Sequence, residues 1–220
     1  MLTLLRKKLN AKNKPTNVIL KPTQLSGRAK LKLNLGSSCE LQSGVVNIDY
    51  NPQGFKDAAY VAGAECVVYD LSKGIPADEA STTYIYSSHF YEHLEHFTLK
   101  FLLSECFRVL ESGGVMRLAM PNFTRLLAAY HNRDEEFFKW AVNENTISHY
   151  RVPIEEVKWA DVLSLGLYEW GEHKYFYDGE KLIDMLQRAG FIDAKEVDFD
   201  PTLDIESRRE HTFYLSAIKP

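Results

Sequence analysis

The chain has 220 residues, of which 45% are hydrophobic and 25% charged, and its formal net charge is −4. These values are typical of a globular protein with a real core and exclude a disordered or fibrous chain. No apolar run is long enough to span a bilayer, and the N-terminus lacks the pattern of a secretory signal. The three cysteines are too few and too widely spaced for a disulfide framework. We therefore expect a cytoplasmic protein without integral membrane association.

Charge is unevenly distributed along the chain. The first 39 residues hold nine Lys or Arg and no Asp or Glu, so the remaining 181 hold 17 basic and 30 acidic residues. We interpret residues 1–29 as a basic N-terminal arm that docks on an acidic body. Nucleic acid is not expected as a partner, because the body is acidic and carries no zinc knuckle or basic-aromatic strand motif.

Four strands are predicted in the first half of the chain. Residues 30–36, 45–50, 65–71 and 82–88 are rich in alternating apolar, β-branched or aromatic side chains. Only about ten residues separate the first two strands, near the lower limit for a parallel crossover. The connection between them must therefore contain a very short helix or a loop.

A helix and a fifth strand follow. The apolar positions at helical spacing are Phe101, Leu102, Cys106, Val109 and Leu110, and Gly113 and Gly114 predict where the helix ends. Residues 114–120 then predict the fifth strand, which Pro121 closes. Strands that alternate with helices indicate a mostly parallel sheet covered by helices.

The alternation is interrupted over residues 122–177, which contain two helical patterns and all three tryptophans. We interpret this range as a helical insertion after the fifth strand that forms a substrate lid. A helix over residues 178–191 and two strands at 194–200 and 211–220 complete the chain. The prediction is one α/β domain over residues 30–220.

Loops at the carboxyl ends of parallel strands are where such folds bind ligands. The first strand ends at Gly36, which permits a tight turn, and the small Ser37 and Ser38 keep the space beside it open. A Gly-x-Gly-x-x-Gly motif is absent, which disfavours a dinucleotide. The second strand ends at Asp49, whose carboxylate can accept two ribose hydroxyls, and the third at Asp70, a candidate for an adenine amino group.

The segment after the fourth strand contains His-x-x-Glu-His, at His89, Glu92 and His93. On a helix these side chains share a face and could bind one ion, and their spacing is that of an inverted zinc-protease motif. Zinc would need a third protein ligand. Glu172 and His173 are candidates, but neither stands in a recognisable ligand pattern.

Six segments follow one another as in the class I S-adenosylmethionine-dependent methyltransferases, and the chain most resembles the small bacterial type found among polysaccharide and secondary-metabolite genes. The segments are LKLNLGSS, VNIDY, VVYDLSKGIP, YIYSSHFYEHL, FRVLESGGVMRLAMPN and LIDMLQRAGF. The resemblance covers roughly residues 30–220. It implies a Rossmann-like α/β fold with a seven-stranded, mostly parallel sheet, S-adenosylmethionine as cofactor, and methyl transfer as the reaction.

The resemblance also implies roles for individual residues. Gly36 would abut the methionine part of the cofactor, Asp49 would hold its ribose, and Asp70 would contact adenine with Leu71 as an apolar neighbour. The expected cofactor-binding residues are Asn34, Gly36, Ser37, Ser38, Asp49, Tyr50, Asp70, Leu71, Ser88 and His89.

The resemblance further implies that the His-x-x-Glu-His string is a helix after the fourth strand, with His93 and Leu94 packing the fold, so no metal is expected. For a hydroxyl acceptor, His89 is the first candidate for general base and His173 the second, with a structural or solvent-facing histidine as the alternative for each.

The predicted acceptor is a small molecule or glycan, methylated on oxygen, and a homodimer is one allowed assembly. Two other functions stay open: a degenerate cofactor-binding homologue that serves as a partner subunit, and a zinc hydrolase. Ser38, at a position where the family usually has a second glycine, motivates the first of these.

Overall fold

The computed structural model describes residues 16–143 and 153–220. Within these ranges eight strands form one sheet. The strands are β1 (Val18–Leu20), β2 (Leu31–Leu35), β3 (Val46–Asp49), β4 (Glu65–Val68), β5 (Thr82–Ser88), β6 (Leu110–Pro121), β7 (Ile192–Val197) and β8 (Thr212–Ile218). Their order across the sheet is β1-β4-β3-β2-β5-β6-β8-β7.

Strands β1 to β6 pair in parallel, whereas β8 is antiparallel to both β6 and β7. The predicted α/β fold with a mostly parallel sheet is therefore confirmed. The predicted count of seven strands is wrong, because β1 extends the sheet beyond β4 and lies inside the range assigned to the N-terminal arm. Val18 and Ile19 are about half exposed, at 55% and 50%, so this edge strand shows no buried alternation that a sequence pattern could reveal.

Six α-helices accompany the sheet in the described ranges. They are α1 (Pro52–Asp57), α2 (His96–Val109), α3 (Phe123–Asn132), α4 (Glu135–Ala141), α5 (Trp159–Tyr168) and α6 (Gly179–Arg188). The main core lies where α2 and α6 cover the sheet; Leu33, Leu102 and Leu186 are among its fully buried members. Leu25, in the predicted arm, is also completely buried in this core.

Helix α2 ends earlier than predicted. It stops at Val109, and Leu110 has extended backbone angles and pairs with Thr82 as the first residue of β6. Pairing with β5 therefore outweighs the continued helical pattern, and Gly113, at φ 78°, falls inside the strand segment. Phe101, predicted on the buried face, is 44% exposed, and Leu99 and Leu103 are buried instead.

The connection between β2 and β3 is a loop without a helix, as the short spacing required. Two buried asparagines hold it in place. Asn34 Nδ2 donates to Asn47 Oδ1 and to the Glu40 carbonyl, both at 3.0 Å, and Asn47 Oδ1 accepts from Gln42 N at 2.9 Å. These hydrogen bonds satisfy polar groups of the loop that a regular crossover helix would otherwise satisfy with its own backbone bonds.

Helices α3, α4 and α5 form a separate apolar cluster beyond β6. Its buried residues are Leu126, Ala129, Phe137, Ala141, Val157 and Val162. Residues 144–152 of the predicted insertion lie outside the described residues. The assignment of residues 122–177 as one insertion, and of residues 1–29 as an arm, stays a prediction.

Candidate active site

Four of the predicted site residues lie at one edge of the sheet. Gly36 follows β2, Asp49 ends β3, Asp70 follows β4 and Ser88 ends β5. These strands are neighbours in the order β4-β3-β2-β5, so their carboxyl ends lie side by side. The sheet topology therefore gathers residues that are up to 52 positions apart in the sequence, from Gly36 to Ser88.

Gly36 adopts φ 67°, a conformation that favours glycine. A Cβ at this position would lie 2.0 Å from Cγ of Phe90, so the ring of Phe90 packs directly on the glycine. Packing alone thus requires a glycine here. The predicted contact with the methionine part of the cofactor stays a prediction.

The residues after Gly36 form a turn in which the backbone N–H of Ser38 points at Asp49. Ser38 has φ 45°, so it adopts the left-handed conformation expected of the glycine usually found there. Ser38 N donates to Asp49 Oδ2 at 2.9 Å, and Asn51 N donates to Oδ1 at 2.8 Å. Asp49 is thereby fixed at the end of β3, with its carboxylate held from two sides.

Other predicted cofactor residues differ in how far they are free to bind a ligand. Asp70 accepts from Ser72 N and Oγ, and these bonds, with the charge of Lys73, outweigh desolvation and lower its pKa. Leu71 is buried in the main core, and Tyr50 is 73% exposed beside Asp49. The amide of Asn34 is used within its loop, which gives this residue a structural role.

His89 lies just beyond β5 and has φ 49°. Its Nε2 is 2.8 Å from Thr212 Oγ1, and its Nδ1 is 4.0 Å from Glu92 Oε1. Burial, with the nearby Arg208, lowers the pKa of His89 well below its usual value. Ser88 is held from the same side, because Arg208 Nη1 donates to both its carbonyl (3.0 Å) and its Oγ (2.9 Å).

A cavity of about 780 Å³, the β5 cavity, opens between this end of the sheet and helices α3 to α5. The sheet side contributes His89, Glu92 and Arg208. The helical side contributes apolar walls that include Phe123, Trp140 and Leu165. Trp140 also packs on the ring of His211, with the centroids 4.8 Å apart. The cavity therefore combines an aromatic wall with several groups that hydrogen-bond or ionise.

Glu92 is a polar residue of the cavity that sequence reasoning treated as structural. It is completely buried, and within the described residues neither carboxyl oxygen has a hydrogen-bond partner. Burial raises its pKa to about 7. In the sequence, only the position of Glu92 between two histidines indicated that it belongs to a site. Its burial and its lack of hydrogen-bond partners are tertiary properties.

His173, the second predicted base, reaches the same cavity from the segment after α5. Its Nδ1 donates to the Gly166 carbonyl at 3.1 Å, and its Nε2 is 2.8 Å from Glu169 Oε2. Burial opposes protonation, but the hydrogen bond and charge of Glu169 outweigh it, so the pKa of His173 is raised. The ring lies 5.0 Å from that of His93, between centroids.

The segment that carries His89, Glu92 and His93 is not the predicted helix. Only Tyr91–His93 form a single 3-10 turn, and α2 begins at His96. His89 and His93 therefore do not share a helical face, and the zinc-protease geometry is not formed.

The strand ends carry groups suited to a nucleoside. Asp49 and Asp70 provide carboxylates at adjacent strands, and Ser37 Oγ is buried beside them without a hydrogen-bond partner in the described residues. An unpaired buried hydroxyl and acceptors for ribose and adenine fit S-adenosylmethionine, and the β5 cavity opens at the end of β5, the strand next to β2.

Comparisons with known proteins agree with this geometry. Residues 27–118, a little under half of the chain, match the sequence-family model described as a methyltransferase domain. No functionally curated protein matches the chain in sequence. Solved structures do match in fold, at sequence identities below one fifth.

Two of these structures are S-adenosylmethionine-dependent methyltransferases. One, from Archaeoglobus fulgidus, is 18% identical with a TM-score of 0.53, and the alignment covers 89% of this chain and 88% of that one. The other, from Thermotoga maritima, is 12% identical with a TM-score of 0.52 and coverages of 86% and 82%. A third, a possible exported protein from Bordetella parapertussis, is 14% identical with a TM-score of 0.50; the alignment covers 88% of this chain but only 63% of that one.

The family match and the shared fold confirm the resemblance predicted from the six sequence segments. Among the described residues, every helix is too short or too polar to cross a bilayer.

Proposed function

We propose that this chain is an S-adenosylmethionine-dependent methyltransferase. It transfers the methyl group to a hydroxyl of a small-molecule or glycan acceptor bound in the β5 cavity. The observation that carries the proposal is the cavity itself. It opens at the end of β5, the strand next to β2, and the imidazole of His89 stands in its wall. Bound S-adenosylmethionine supplies an electrophilic methyl group, so the protein mainly positions the acceptor and removes a proton.

Shape and polarity of the cavity support a sugar-like acceptor. A flat aromatic side chain, Trp140, faces a wall with Arg208 and Glu92, so one ligand can stack on an apolar face and bond through hydroxyls. A purely apolar acceptor would leave the buried carboxyl of Glu92 without a hydrogen-bond partner. We propose that residues 122–177 act as the lid, because Phe123, Trp140 and Leu165 form the wall opposite the sheet.

His89 is the proposed general base. If Nε2–H donates to Thr212 Oγ1, Nδ1 is the unprotonated nitrogen, and it lies on the side of Glu92. The acceptor oxygen bonds to the methyl carbon as the carbon–sulfur bond breaks, and the hydroxyl proton passes to Nδ1. A negative Glu92, 4.0 Å away, would stabilise the resulting imidazolium. His173 is less suited to this step, because its Nε2 is already paired with Glu169.

The acceptor class is tested by offering S-adenosylmethionine with a labelled methyl group and three acceptor panels: nucleotide sugars and oligosaccharides, phenolic compounds, and proteins. We expect label on carbohydrate hydroxyls. Transfer to phenols or proteins alone would refute the acceptor class. Tight cofactor binding without transfer to any panel would instead favour the degenerate partner subunit.

The role of His89 is tested by His89→Asn, since asparagine tolerates the positive φ at this position. We expect kcat to fall by roughly 10²–10⁴-fold while the cofactor affinity stays unchanged. His131→Asn, on the exposed face of α3, is the matched control. A His89→Asn enzyme with normal kcat would show that this imidazole is structural.

A further inference from the structure

The geometry points to a binding site for a divalent transition-metal ion formed by Glu92, His93 and His173 in the wall of the β5 cavity. One ligand atom from each side chain lies within 4.8 Å of the other two. Two imidazoles and one carboxylate form a set that binds zinc and similar cations while leaving a coordination position open. The inference departs from the expectation of a metal-free protein that the sequence alone supported.

Glu92 provides the first argument. Its carboxyl group is completely buried, lines the cavity, and has no hydrogen-bond partner within the described residues. A buried carboxylate without partners is costly, and proteins normally pair such a group with a cation or with donors. A cation between Glu92 and the two imidazoles would satisfy it.

The orientation of the two imidazoles provides the second argument. His93 Nδ1 is 3.3 Å from the Glu172 carbonyl, and His173 Nδ1 is 3.1 Å from the Gly166 carbonyl. A carbonyl can only accept, so each Nδ1 carries the hydrogen and each Nε2 is directed at the carboxylates. Metal-binding histidines are held in this way, with one nitrogen on the metal and the other N–H on a backbone oxygen.

The backbone fixes the two halves of the site against each other. Glu92 and His93 belong to the 3-10 turn after β5, whereas His173 follows α5 by five residues. Lys174 N donates to the Glu92 carbonyl at 2.7 Å, so the segment with His173 is bonded directly to the turn. The ligands therefore come from rigidly joined elements, which favours metal binding over a chance cluster.

Glu169 is the neighbouring carboxylate. Its Oε2 lies 2.8 Å from His173 Nε2 and 3.9 Å from His93 Nε2. In the structure Glu169 is paired with His173 Nε2, and a metal ion bound at Nε2 would replace this contact. Ligand atoms of a tetrahedral zinc site are about 3.4 Å from one another, whereas those of Glu92, His93 and His173 lie within 4.8 Å. Side-chain movements of about 1 Å would therefore complete the site.

This site differs from the zinc-protease motif of the sequence. His89 is not part of the cluster of Glu92, His93 and His173, and the segment that carries it is not an α-helix. If the proposed methyl transfer is correct, the open position would bind an acceptor hydroxyl, lower its pKa, and direct it toward the methyl group. The metal site itself does not depend on that function.

The test uses the full chain, freed of metal by chelation, without cofactor or acceptor. Calorimetric titration with Zn²⁺ and elemental analysis after gel filtration should both give one zinc per chain, and Mg²⁺ should not compete. His93→Gln and His173→Gln should each weaken zinc binding by more than the about 10–100-fold typical of second-shell changes. Substituting Co²⁺ should give the visible absorption of a tetrahedral site, which both variants should lose.

His131→Gln, which removes an exposed imidazole outside the cavity, should keep full stoichiometry. Normal circular dichroism and cofactor binding of the variants establish that they fold. Absence of stoichiometric zinc, or zinc binding that both histidine variants leave unchanged, would overturn the site. Either result leaves the methyl-transfer assay unaffected, so the two proposals fail separately.

Discussion

Asp49→Ala tests the proposed ribose site most directly. In the structure the Asp49 carboxylate accepts hydrogen bonds from Ser38 N and Asn51 N. Hydrogen bonds to a charged group contribute about 1.5–3 kcal/mol each, so the substitution should lower the free energy of unfolding by several kcal/mol. Loss of the bonds to ribose should lower cofactor affinity by a further factor of roughly 10 to 100.

Two variants separate these effects. Asp49→Asn keeps the size and one oxygen acceptor, so it should lose less stability than Asp49→Ala while still binding cofactor weakly. Asp184→Ala, on the surface of α6, is the control that removes an exposed carboxylate. Calorimetric titration with S-adenosylmethionine and S-adenosylhomocysteine measures affinity, and urea unfolding measures stability. A folded Asp49→Ala protein with unchanged affinity would show that the ribose does not bind at Asp49.

Three further predictions concern stability. Burial and Arg208 lower the pKa of His211 to about 4, so the folded chain binds a proton there less readily than the unfolded chain, whose histidine titrates near pH 6.5. The contribution of His211 to the free energy of unfolding is complete above about pH 6.5 and falls by up to about 3 kcal/mol toward pH 4. His211→Gln should therefore flatten the pH dependence of stability measured by urea unfolding. Parallel pH curves for the variant and the unsubstituted protein would contradict this prediction. Leu25→Ala should lower the free energy of unfolding by about 2–5 kcal/mol, whereas Leu127→Ala, at a site 50% exposed, should lower it by under about 1 kcal/mol. Equal losses would show that Leu25 does not belong to the core. Gly36→Ala should lower the melting temperature strongly because its Cβ meets Phe90, and adding Phe90→Ala should restore part of it; no restoration would mean that backbone strain dominates.

The strand ends of the site could be predicted from sequence because each depends on a local pattern. The β-branched and aromatic run of residues 82–88 is bounded by turn residues, and β5 spans this same range. Asp49 was placed correctly because it ends a short apolar run that forms β3. Once the sheet is parallel, carboxyl ends must meet at one edge, so gathering Gly36, Asp49 and Asp70 required no side-chain detail.

Sequence patterns gave wrong predictions where a tertiary contact outweighed the local conformational preference of the segment. Strand β1 has an exposed, three-residue pattern and forms by pairing with the backbone of β4. Asn34 looks like a ligand contact because it lies near the end of β2, but its amide is used by a loop whose course depends on Asn47. The string from His89 to His93 has helical spacing, yet it folds into a single 3-10 turn.

The sequence by itself predicted the α/β fold, and the order of strands, turns and strand-end residues carried the resemblance to S-adenosylmethionine-dependent methyltransferases. Only the tertiary structure decided what Glu92 faces. His173 lies about eighty residues away and joins Glu92 and His93 through a backbone hydrogen bond between Lys174 and the Glu92 carbonyl. No local spacing encodes that contact, because burial and the distance between remote side chains arise only when the chain packs.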